Sequence, residues 1–127
     1  MANHDTTIAD LCQRVAEFVA ARDWELFHTP KNLSIAIAIE AAELMEHFQW
    51  LTNEQAAAAV QDEAKRDAVA DELADVFIYV LSLANALGVD VSAAVLGKLK
   101  RNEQRFPVEE WRGRARGVGD ARSRTAG

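Results

Sequence analysis

Two acidic pairs, each set inside an otherwise apolar stretch, constrain the folding of this chain more than any other feature. Glu40 and Glu43 stand in IEAAEL, and Glu72 and Asp75 stand in DELADV. At a spacing of three, both acids of a pair share one face of a helix. A carboxylate on an apolar face is costly to bury unless it is paired or holds a cation. On the first stretch Glu40, Glu43, His47 and Trp50 form one helical stripe; on the second, Glu72, Asp75, Tyr79 and Ser82 form another. Packing the two helices antiparallel with their stripes facing would collect four carboxylates in one place. Four oxygen donors suit a hard cation such as Mg²⁺, which commonly also takes up substrate phosphates. The pattern points to a metal-dependent enzyme acting on a phosphorylated ligand. The competing reading leaves the acids as solvated surface charges, the ordinary fate of a single acidic pair. Two pairs, each followed by an aromatic on the same stripe, favour the metal. A di-iron centre is a poor fit, because His47 follows Glu43 by four residues rather than three and no histidine follows Asp75.

The rest of the chain supports an all-α fold. Half of the 127 residues are apolar and only two are proline, a mix that favours helices over a sheet. The length suits one domain. Thr7 and Asp10 form a capping-box pattern that opens a helix to about Arg22. The segment DWELFHTPK then breaks the pattern, and Asn32 is the expected cap of a helix from about Leu33 to Trp50. Its opening, LSIAIAI, alternates like a strand, but EAAELMEHF continues at helical period, so helix is expected throughout. Asn53 is expected to cap a short helix to about Asp62, followed by a long one from about Lys65 to Leu87 with Gly88 as its C-cap. A last helix, opened by Asp90 or Ser92, should run to about Arg105 and stop at Pro107. The outcome is a four-helix bundle over residues 1–111, with an Arg- and Gly-rich tail, 112–127, expected to be disordered.

Charge and cysteine usage narrow the setting. The net charge is −6, and the tail holds five arginines against Asp120, so the body of the chain is more acidic still. An acidic body argues against a nucleic-acid partner, and it would need metal ions to bind a polyanion. Cys12 is the only cysteine, which excludes an internal disulfide and suits a reducing cytoplasm. The polar start MANHDTTIAD has no signal-peptide character, and the most apolar stretch, Val76 to Val89, is too short for a membrane span.

Two weaker groups add detail. Lys98, Asn102 and Arg105 recur at helical spacing and could grip phosphate oxygens, although a solvated basic face is the simpler reading. The segment RDWELFHTPKN carries Trp24, Phe27, His28 and Lys31 in a loop, where aromatics either wall a base or pin the loop to its own core.

Taken in order, RDWELFHTPKNL, FQWL, ELADVFIYVLSLA and KLKRNEQRFP resemble segments of the MazG-like all-α nucleoside triphosphate pyrophosphatases, most closely the dCTP pyrophosphatase branch. The resemblance runs from about Arg22 to Pro107. It implies that Glu40, Glu43, Glu72 and Asp75 hold Mg²⁺, and that Trp24, His28, Trp50 and Tyr79 shape the base and sugar pocket. It places Lys98, Asn102 and Arg105 at the triphosphate. It also implies a homotetramer, or failing that a dimer, with sites near subunit interfaces. The expected reaction converts dCTP, or a modified analogue, to dCMP and pyrophosphate. The connection TNEQAAAAVQDEAKRD departs from the Gly- and Pro-rich loop of the vertebrate enzymes and leaves base preference open. Other members of the same motif family act on dUTP, on phosphoribosyl-ATP or on a broad range of triphosphates. A non-catalytic helical interaction module is the reading outside enzymes.

Overall fold

The computed structural model describes residues 1–114, and its chain divides by packing into a unit Met1–Val91 and a second unit from Ser92 onward. Among the described residues every regular element is a helix: α1 (Ala2–Asp5), α2 (Ile8–Ala20), α3 (Pro30–Glu46), α4 (Asn53–Ala59), α5 (Glu63–Leu87), α6 (Val91–Arg105) and α7 (Val108–Trp111). The all-α expectation holds, including over LSIAIAI. The expectation of a disordered tail falls, for residues 115–127, outside the described residues.

Local signals set the ends of these helices. The Thr7 hydroxyl accepts the Asp10 N–H while the Asp10 carboxylate accepts the Thr7 N–H, the reciprocal pair expected at the start of α2. The other end of α2 was not legible in advance. Asp23 adopts a left-handed φ of 52°, and the N–H groups of Trp24 and Asp23 fold back to the carbonyls of Val19 and Ala20. This is a Schellman closure with aspartate in the place glycine usually takes. Its hydrophobic contact is the edge-to-face pair Phe18–Trp24, with centroids 5.8 Å apart.

Helix α3 starts three residues earlier than the sequence pattern indicated. Thr29, not Asn32, is the cap: its hydroxyl accepts the Asn32 N–H, and Pro30 occupies the first helical position. Proline has no N–H to leave unsatisfied there, and its fixed φ suits the first turn. Asn32 instead donates its side-chain amide to the Phe27 carbonyl and ties the loop to the helix. Helix α3 also ends at Glu46, so the predicted stripe stops at His47 and Trp50 lies in the turn beyond it. Thr52 with Gln55, rather than Asn53, caps α4. Gly88, with φ 66°, closes α5 as expected.

Within the first unit, α5 is the central element, and both α3 and α2 pack on it. His47 at the end of α3 meets Lys65 near the start of α5, while Glu40 and Glu72 meet farther along, so α3 and α5 run antiparallel. The less exposed positions of α3 (Leu33, Ala36, Ile37, Glu40, Glu43 and Leu44), with His47 just past its end, fall one, three or four apart and mark the face turned to α5. Both glutamates therefore sit on the packed stripe. Among the described residues the buried apolar side chains are Val19, Leu33, Leu81 and Ala84, with Ser82 also buried. Ile35 and Ile39 of α3 and Leu73, Phe77 and Ile78 of α5 remain exposed.

In the second unit, α6 carries Lys98, Asn102 and Arg105. Phe106 and Trp111 close its end in an edge-to-face contact with centroids 4.9 Å apart. Pro107 ends α6 and serves as the cap residue of α7. No single helix among the described residues is long and apolar enough to cross a membrane.

Candidate active site

Helices α3 and α5 converge on an acidic cluster. Glu40, Glu43 and Glu72 each offer a carboxylate oxygen, and these oxygens lie within 4.8 Å of one another. Each residue is half-buried. One oxygen of Glu40 and one of Glu72 are cut off from solvent with no hydrogen-bond partner in the protein. Burial pushes the Glu40 carboxyl up from 4.5 to about 7, assisted by its hydrogen bond to Glu43 and by repulsion from Glu43, Asp75 and Glu72. Asp75 thus lies close enough to act on Glu40, yet it is exposed and stands outside the group of three. Two orphaned oxygens in an all-oxygen donor set are what a hard divalent cation would satisfy. His47 is committed elsewhere: its Nδ1 accepts a hydrogen bond from Lys65 Nζ at 3.0 Å.

The linkage between proton and fold has a definite sign. Without a cation, the proton on Glu40 contributes stability that is fully present below 4.5 and lost as the pH rises through about 7. The metal-free melting temperature should therefore fall between about pH 5.5 and about pH 8, with Mg²⁺ restoring it mainly at the higher pH. Scanning calorimetry at both pH values, with and without Mg²⁺, checks this. An equal rise at both would place cation binding away from these acids.

An aromatic row stands in the same unit. Trp24 stacks on His28 with centroids 6.4 Å apart and planes at 25°, and His28 faces Tyr79 at 6.3 Å. The Schellman closure at Asp23 and the cap at Thr29 bracket the loop that presents Trp24 and His28. The structure thus gathers three of the four aromatic-pocket candidates. Trp50 is 86% exposed and stands outside the row. Lys31 is an exposed residue in the first turn of α3. On α6, Lys98 and Arg105 are exposed and Asn102 is half-buried; the Arg105 guanidinium lies 5.2 Å from the Phe106 ring centre.

Sequence reasoning missed one feature. The sequence placed Ser82 on the Glu72, Asp75 and Tyr79 stripe and showed Asn85 as a polar residue in an apolar run, but it gave no sign of a cavity. In the structure both line a cavity of about 290 Å³ together with His28 and Glu25.

A family model described as MazG-like matches residues 35–120, and the chain belongs to the MazG-like family. Among its curated relatives, the dCTP pyrophosphatase 1 of Rattus norvegicus is 41% identical over 111 residues, spanning 87% of this chain and 65% of that protein. The Homo sapiens protein of the same name is 41% identical over 104 residues, spanning 82% and 61%. The chain thus covers slightly less than two thirds of the length of these relatives. A crystal structure of a pyrophosphatase from Archaeoglobus fulgidus is similar with a TM-score of 0.73 and 37% identity, over 78% of this chain and 91% of that one.

Proposed function

We propose that this chain is a Mg²⁺-dependent nucleoside triphosphate pyrophosphohydrolase that converts dCTP, or a modified dCTP, to dCMP and pyrophosphate. The observation that carries this reading is the three-glutamate cluster with its two partnerless oxygens, in a chain similar to dCTP pyrophosphatases over most of its length. Glu40, Glu43 and Glu72, with Asp75 beside them, would hold the cation. A Mg²⁺ ion held by these carboxylates would supply charge neutralisation for the phosphates and a more acidic water. Glu43, or failing it Glu40, accepts the proton of the water that attacks the α-phosphorus. Trp24, His28 and Tyr79 enclose base and sugar, with Trp50 and Lys31 as further contacts. Lys98, Asn102 and Arg105 bind the leaving pyrophosphate.

The working form in this reading is a homotetramer of four-helix bundles. The exposed Ile35, Ile39, Leu73, Phe77 and Ile78 support association, because apolar residues left on helix faces are commonly covered by another copy.

The test is pyrophosphate release from dCTP, 5-methyl-dCTP, dUTP and CTP, with and without Mg²⁺. The expected result is Mg²⁺-dependent release that favours the deoxycytidine nucleotides. Release from none of them would sink the enzymatic reading.

A further inference from the structure

Apart from His28, the polar groups of the cavity beside the aromatic row have no part in the chemistry described above. Ser82 is 5% exposed, and its hydroxyl has no hydrogen-bond partner in the protein. A serine inside a helix ordinarily bonds back to a carbonyl of the preceding turn. This one does not, although a buried polar group without a partner is costly. His28 Nδ1 is also cut off from solvent without a partner, while its ring stacks on Trp24. Asn85 donates its amide N–H to the Cys12 carbonyl at 2.9 Å, which leaves its Oδ1 as an acceptor. Glu25, an exposed residue whose carboxylate oxygens are acceptors, also lines the cavity, and Val19 and Ala86 supply apolar wall.

We propose that this cavity takes the pyrimidine base of the nucleotide and that Ser82 is a residue that sets which base is accepted. Its volume of about 290 Å³ lies near the lower end for ligand pockets, which suits a single ring with sugar and phosphates outside. Acceptors at Glu25 and Asn85 match a ring bearing an exocyclic amine and oppose one bearing a carbonyl in that position. Cytosine has such an amine, and the ring nitrogen beside it is an acceptor for the Ser82 hydroxyl. Uracil reverses both groups. A site whose buried polar atoms are satisfied only by the correct ligand discriminates strongly, because the wrong ligand leaves them unpaired.

This inference rests on the nucleotide reading, so its test uses binding of the product rather than turnover. The full chain is titrated with dCMP and with dUMP by calorimetry in the presence of Mg²⁺. The unaltered chain should bind dCMP at least about tenfold more tightly than dUMP. Ser82→Ala should bind dCMP about tenfold more weakly with little change in melting temperature, and Ser82→Thr should retain the preference. Ala86→Leu fills the cavity while leaving the hydroxyl in place, and should lose dCMP binding to a similar extent. Binding of dCMP to Ser82→Ala within about twofold of the unaltered chain would overturn the proposal. So would equal affinity for the two nucleotides, or an Ala86→Leu variant that binds normally. Pyrophosphate release measured in parallel separates the two ideas. Turnover with no base preference removes the Ser82 role and leaves the metal chemistry standing. Ser82-dependent dCMP binding without turnover does the reverse.

Discussion

Glu43→Gln should lower pyrophosphate release from dCTP by roughly 10²-fold or more while raising the melting temperature of the metal-free chain. The two effects have one cause. Burial raises the Glu40 carboxyl first, and Glu43 raises it further through a shared hydrogen bond and charge repulsion. The amide keeps the size and helix propensity of the side chain but removes a negative charge from a half-buried cluster. The repulsion is relieved, so the fold gains stability in the absence of a cation. The same change removes a proposed cation ligand and the first candidate for accepting the proton of the attacking water. A variant that merely damaged packing would lose activity and stability together. Opposite signs separate the two explanations, and they are read from steady-state kinetics and a thermal melt of one preparation. Turnover within about a factor of two of the unaltered chain would end the catalytic assignment of Glu43.

Leu81→Ala should cost about 2–5 kcal/mol, the range for deleting a fully buried leucine side chain. Leu81 is 1% exposed, and among the described residues the other buried apolar side chains are only Val19, Leu33 and Ala84. So short a list gives little opportunity for neighbours to spread into the space left behind. Set against a domain stability of roughly 5–15 kcal/mol, the loss is a large fraction of the whole. The melting temperature should fall by roughly 10 °C or more. Leu26→Ala is the comparison, because Leu26 is 83% exposed and its truncation removes little packing. Melts of the two variants decide the point. A fall for Leu81→Ala no larger than that for Leu26→Ala would mean that the stability resides elsewhere.

The acidic cluster was the most legible part of the site, because spacing along a helix is a geometric fact that survives folding. Positions 40 and 43, together with 72, read as one meeting place from sequence, and the structure puts their carboxylates in contact range. Asp75 shows the limit of the same reasoning. Three residues is less than one full turn, so the second acid of a pair can swing off the packed stripe toward solvent, as its exposure records. Helix starts were legible in kind but displaced. Asn32 and Asn53 are good caps on their own, and Thr29 and Thr52, slightly upstream, took the role. At Thr29 a proline in the next position tips the balance. The cavity around Ser82 was not legible. Nothing in a lone serine within an apolar helix tells whether its hydroxyl bonds back to the chain or faces a void.

The loop between α2 and α3 is closed at one end by the left-handed turn at Asp23, at the other by the Thr29 cap, and is cross-tied by Asn32 to the Phe27 carbonyl. All three fastenings are made by residues within or beside the loop itself, so the segment presenting Trp24 and His28 is shaped without any ligand. On the function proposed above, a nucleotide would meet a preformed surface and would not have to order it. The entropy lost on binding then falls mainly on the nucleotide's own rotations about its sugar and phosphates.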